Sequence, residues 1–90
     1  MTQYKIYTER KNLRWMTTMI SEYFGGFTIY KTLGFWQSKP EKSVCIEIIT
    51  DEIAARHKVG QIVLKIRGYN KQESVLVVKT TVNNETGFYI

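Results

Sequence analysis

The chain has 90 residues, 43% of them hydrophobic and 23% charged, which excludes disorder and suits one domain, residues 1–90, with a single two-layer core. A formal net charge of +5 and a pI near 9.4 point to anionic partners such as nucleotides, nucleic acid or acidic proteins. No apolar stretch approaches the ~18 residues of a membrane span, and the opening Met1 to Lys5 lacks the apolar centre of a secretory signal; a cytoplasmic location is expected.

The first element, Gln3 to Thr8, alternates Tyr4 and Ile6 with Lys5 and Tyr7, the period of a half-buried strand. Asn12 is placed to cap a helix starting at Leu13, its side-chain oxygen accepting from an orphan backbone N–H. Leu13, Met16, Ile20, Tyr23 and Phe24 form one apolar stripe at helical spacing, and Gly25-Gly26 ends it. Trp15 lies off the stripe, at the core rim or exposed. Phe27 to Trp36, rich in β-branched and aromatic residues, reads as a second strand. Gly34 within it suggests a bulge or a close backbone approach.

Gln37 to Lys42 is polar and contains Pro40, which predicts a turn that no strand enters. Ser43 to Thr50 is the most apolar strand and is expected at the centre of the sheet. Thr50-Asp51-Glu52 reads as the start of a second helix, acids at its positive end. Its expected apolar face is Ile53, Ala54, His57, Gly60, Ile62, Val63 and Ile66, and it is expected to end near Gly68. Ser74 to Val82 is the last long strand; Asn83-Asn84 permits a turn before a possible short fifth strand, Gly87 to Ile90. The order β-α-β-β-α-β, with both helices on one face of an antiparallel sheet, is the α+β ferredoxin-like split β-α-β sandwich. That architecture does not specify a function.

Gly26-Phe27-Thr28, Gly34-Phe35-Trp36, Glu41-Lys42-Ser43-Val44 and Gln72-Glu73-Ser74-Val75-Leu76 occur in an order and spacing that resembles a family of small uncharacterised bacterial and phage proteins. The resemblance spans the second strand to the last. It implies the ferredoxin-like sandwich and no catalytic residue or cofactor. By analogy with small phage proteins that inhibit host defence, it suggests an anti-defence protein, including an oligomeric sponge for a nucleotide immune signal.

Few residues offer chemistry. His57 is the only histidine and has no acid or cysteine at a spacing that would orient it. Cys45, the only cysteine, sits in an apolar run and reads as a small buried hydrophobe, with no disulfide and no metal site available. No glycine-rich phosphate loop opens a helix. No catalytic residue, metal or cofactor is therefore assigned.

Basic residues concentrate toward the front, seven Lys/Arg against three acids through Lys42, although without a consecutive run. Strand parity places Lys5, Tyr7, Thr28, Tyr30, Thr32 and Glu47 on the sheet face opposite the helices, where rings stack on bases and cations meet phosphate. The same tyrosines also suit a subunit interface. Trp36 and Lys39, beside the polar turn, and Lys31 complete the candidate ligand set Lys5, Tyr7, Tyr30, Lys31, Trp36, Lys39 and Glu47. Val75 and Val77 against Leu76 and Val78 make the last strand apolar on both sides, which predicts a homo-oligomer through the sheet. The central strand lacks the aromatic pattern of RNA-recognition domains, so nucleic acid is the weaker partner. The expectation is a non-enzymatic oligomeric protein that sequesters a small anionic, nucleotide-like ligand. The alternatives are an inhibitor or regulator acting by protein contact, a small metabolite enzyme and an RNA binder.

Overall fold

The computed structural model describes residues 1–81. The elements run β1 (Thr2–Glu9), α1 (Leu13–Ser21), β2 (Thr28–Trp36), β3 (Lys39–Thr50), α2 (Ala55–Asn70) and β4 (Leu76–Thr81). The sheet order is β2-β3-β1-β4, every neighbouring pair antiparallel. This is the expected ferredoxin-like α+β sandwich. The proposed turn at Asn83-Asn84 and the strand Gly87 to Ile90 lie outside the described residues.

Alternation explains the core. Tyr4, Ile6 and Thr8 of β1 stand opposite Ile48, Ile46 and Val44 of β3, and all six are buried on one face. Ile29 of β2 joins them through its pairing with Ile46. Helix α1 covers this face with Met16, Met19, Ile20 and the following Phe24; α2 adds Ala55, Val59, Ile62 and Ile66. Met19 is a core residue outside the predicted stripe, whereas Leu13 and Tyr23 are only half-buried. Trp15 is a rim residue, stacked on Tyr69 of α2 with ring centroids 3.9 Å apart and planes within 7°.

Asn12 occupies the predicted N-cap position but does not cap with its side chain; its backbone is left-handed, φ 57°. Its Nδ2 instead donates to Asn70 Oδ1 at 2.8 Å. Asn70 Nδ2 reaches Gln72 Oε1 at 3.3 Å, which also accepts from the Thr8 hydroxyl at 2.6 Å. This network satisfies buried Asn70 and Thr8 and ties the end of β1, the start of α1 and the end of α2 together. Helix α2 accordingly runs past Gly68 to Asn70 and closes on left-handed Lys71, φ 55°.

The largest departure from expectation is at residues 37–42. Gln37 and Ser38 both take positive φ, 50° and 64°, forming a two-residue hairpin turn, and β3 begins directly at Lys39. Pro40 faces Phe35, one step from the closing pair. Antiparallel pairs alternate in hydrogen bonding, so a residue at this step directs its N–H away from β2, and β1 has ended before it can pair there. Gly34 forms no bulge; the β2–β3 register is continuous, and a Cβ would meet nothing closer than Ser43 Oγ at 3.7 Å. The result is a two-stranded arm projecting beyond β1, with Leu33, Phe35 and Trp36 each more than 60% exposed. Arg10 fastens its base, donating from Nε to the Ser43 carbonyl at 3.2 Å and from Nη2 to the Thr32 carbonyl at 2.9 Å.

Helix α2 starts later than predicted. Thr50 Oγ1 accepts from the Glu52 backbone N–H, turning the chain without capping the helix, and no acid lies in the first helical turn. Ile53 is fully exposed and His57, Gly60 and Ala54 are exposed as well, so they do not belong to the buried face.

Candidate functional site

The register places Lys5, Tyr7, Tyr30 and Glu47 together on the uncovered face. Tyr7, Cys45 and Tyr30 lie side by side across β1, β3 and β2; Lys5, Glu47 and Thr28 form the adjacent row. Lys5 thus stands directly beside a carboxylate, which offsets much of its attraction for an anion. Trp36 and Lys39 share this side of the sheet but sit at the arm tip. Six residues of strand separate Trp36 from Tyr30, roughly 20 Å at ~3.3 Å per residue. Lys31 pairs with buried Val44 and therefore belongs to the helix-bearing side, not with Tyr30. The predicted ligand set is split three ways within one chain.

Cys45 is free and buried in the open face, as a small hydrophobe. Tyr30 stands opposite Cys45, and its interaction with that thiol, followed by desolvation and the nearby charge of Glu47, raises the Tyr30 pKa well above that of an ordinary tyrosine. A raised folded-state pKa gives stability that is fully present below the unfolded tyrosine value and is lost as pH climbs through the folded one. Alkaline titration of the folded protein by phenolate absorbance is expected to show a phase above the ordinary tyrosine range. Tyr30→Phe is expected to abolish that late phase; its persistence in the variant contradicts the assignment.

A larger concavity lies on the helix side, between α2 and edge strand β4. It is a groove of about 1010 Å³. Its apolar lining comes from Tyr4, Ile53, Val59, Val63, Leu64 and Val77, and its polar groups are Arg56, His57, Gln61 and Lys79. The groove exists because α2 directs Ala55, Val59, Ile62 and Ile66 inward while Val77, on the same side of the sheet, remains 37% exposed. Gly60 lies mid-helix against it, and a Cβ there would meet nothing within 4 Å.

The charges around this groove are one-sided. Among the described residues, Arg56 and Lys79 make no ion pair and no side-chain hydrogen bond. The acids nearest Arg56 in sequence are engaged elsewhere: Asp51 accepts the Met1 ammonium at 3.1 Å, and Glu52 is held by Lys58. His57 is exposed, and its Nε2 meets Gln61 Nε2 at 3.1 Å; no carboxylate among the described residues orients the ring. Among the described residues no three His, Cys, Asp or Glu side chains converge as a metal site would require, and no helix is long and apolar enough to cross a membrane.

Sequence reasoning did not identify this groove. Its one available signal was Gly60, a helix-interior glycine with no turn to explain it.

No family model matches the chain, and no curated protein matches it. Solved structures do. The chain is similar to a DUF3240 family protein from Shewanella baltica, with a TM-score of 0.71 at 12% identity over 98% of this chain and 96% of that one. It is also similar to the de novo designed protein Foldit4, with a TM-score of 0.54 at 16% identity over 91% of this chain and 96% of the design. At such identities the likeness shows the fold alone.

Proposed function

We propose that this chain is a non-catalytic binding protein that holds a small anionic, nucleotide-like ligand in the α2–β4 groove and releases it unchanged. The observation that carries this reading is the pairing of a concave apolar wall with two cations, Arg56 and Lys79, that have no ion-pair partner among the described residues and line the same groove. Ligand sites are characteristically concave, mostly apolar and supplied with a few polar groups that fix orientation. A base or other planar apolar body fits against Ile53, Leu64 and Val77, while phosphate or carboxylate meets the cations. Among the described residues no acid orients His57, which supports retention over the acid–base pairing that hydrolysis of a bound nucleotide would use. The viral sponge for a signalling nucleotide is a special case of this reading, addressed by including cyclic nucleotides among the probes.

The experiment uses Gly60. Protein incubated with cyclic and linear nucleotides is freed of excess ligand and heated, and the released contents are weighed by mass spectrometry. Intact nucleotide is expected. Gly60→Met projects a side chain into the groove and is expected to abolish retention. Replacing a mid-helix glycine also improves helix propensity, so the variant is expected to be more stable by several tenths of a kcal/mol, up to about 1. Undiminished retention by Gly60→Met, or recovery of a hydrolysed product, overturns the reading.

A further inference from the structure

The uncovered side of the β2–β3 ribbon is self-complementary, and we propose that it docks face to face on a second copy of this chain. The ribbon has a midpoint at the Thr32–Ser43 pair, whose hydroxyls are 2.6 Å apart. Four residues toward the turn lie Trp36 and Lys39; four residues the other way lie Thr28 and Glu47. Two residues toward the turn lies Gly34, and two the other way Tyr30. All of these share one side of the ribbon, because side chains alternate along a strand.

A two-fold axis crossing the ribbon at Thr32–Ser43, in the plane between two opposed faces, maps each position onto its mirror step. Lys39 of one copy then meets Glu47 of the second, and the reverse holds by symmetry. Trp36 covers Thr28 of the other copy. Tyr30, 37% exposed, is seated over the other copy's Gly34, the one position on the ribbon without a side chain. Lys39 and Glu47 pair in both directions and a ring meets a gap, whereas Glu41, opposite Gly34, lies over Cys45 of the other copy without an opposite charge, which adds to the weakness of the contact.

The area sets the strength. A two-stranded face of this length offers on the order of 500 Å² per partner, below the ~800 Å² of a standard interface. The dimer is therefore a concentration-dependent one in the micromolar range. It gives a partner to Trp36, which is 68% exposed at the end of the two-stranded arm. This contact uses the face opposite the α2–β4 groove and is independent of ligand binding.

Sedimentation equilibrium across a wide range of protein concentration tests it. Lys39→Glu is expected to weaken dimerisation at least about tenfold by setting like charges opposite each other. Glu47→Lys weakens it also, and the double variant Lys39→Glu/Glu47→Lys is expected to bind more tightly than either single one. Gly34→Val fills the seat of Tyr30 and is expected to give a monomer whose melting temperature is unchanged or higher, since valine suits a strand better than glycine. A wild-type chain that stays monomeric to millimolar concentration overturns the proposal. So does a dimer that survives both Lys39→Glu and Gly34→Val, or a charge swap that rescues nothing.

Discussion

Truncating Ile46 to alanine is expected to cost about 3 kcal/mol of folding stability, and truncating Leu33 in the same way less than about 0.5 kcal/mol. The two residues are both aliphatic and both on strands of one hairpin. Ile46 has no exposed surface and stands between Ile6 of β1 and Ile29 of β2, beneath the helices. Removing its side chain leaves a cavity that packed neighbours on both sides cannot close, so the lost transfer energy and the cavity cost add. Leu33 lies on the arm, 61% exposed, beyond the end of β1. Against a total stability of ~5–15 kcal/mol for a domain of this size, the Ile46 change removes a large part of the margin. The melting temperature is expected to fall on the order of 15 °C, since 1 kcal/mol corresponds to roughly 4–8 °C here. Thermal denaturation followed by circular dichroism checks it. Equal losses for the two variants would place the arm inside the cooperative core, against the packing described.

The second large effect concerns binding. Arg56→Ala and Lys79→Ala are each expected to weaken nucleotide affinity about tenfold, and the double variant about a hundredfold, since hydrogen bonds to charged groups contribute ~1.5–3 kcal/mol apiece. The two residues come from different elements, α2 and β4, and meet the ligand from opposite walls, so their contributions should add nearly independently. The wild-type affinity should fall with added salt, and the double variant should show a shallower dependence. Both residues are exposed, and their loss is expected to move stability by no more than about 0.5 kcal/mol. Lys31→Ala, on β2 at the far end of the strand order from β4, is expected to leave affinity unchanged. Calorimetric titration separates these outcomes; a loss with Lys31→Ala and none with the groove variants would return the site to the front-half basic residues.

How much of this was legible in the sequence depended on how local the cause was. Strand alternation put Lys5, Tyr7, Tyr30 and Glu47 on one face correctly, because period-two patterning is a property of each strand by itself. Lys31 does not join Tyr30, because adjacent strand residues point to opposite faces. The arm was hidden by Pro40 and by a turn built from Gln37-Ser38, since two-residue hairpins with positive φ are ordinarily announced by asparagine and glycine. A proline next to a turn on an unpaired edge costs no ladder bond, so its strand-breaking rule did not apply. Ile53 was placed in the core because Thr50-Asp51-Glu52 has the composition of a helix start, whereas Thr50 turns the chain one step earlier. The groove was the least visible feature. It is assembled from Tyr4, the outer side of α2 and an edge strand, and no local pattern encodes how far a helix sits from an edge.

The proposed nucleotide lies in the α2–β4 groove and not on the open sheet. Backbone amide shifts followed by NMR as a purine nucleotide is titrated in locate it directly. Saturable shifts are expected at Arg56, Gly60, Leu64, Val77 and Lys79, with Lys5, Tyr7, Cys45 and Tyr30 unmoved. Shifts confined to Lys5, Tyr7 and Tyr30, with the α2 amides unchanged, would contradict it.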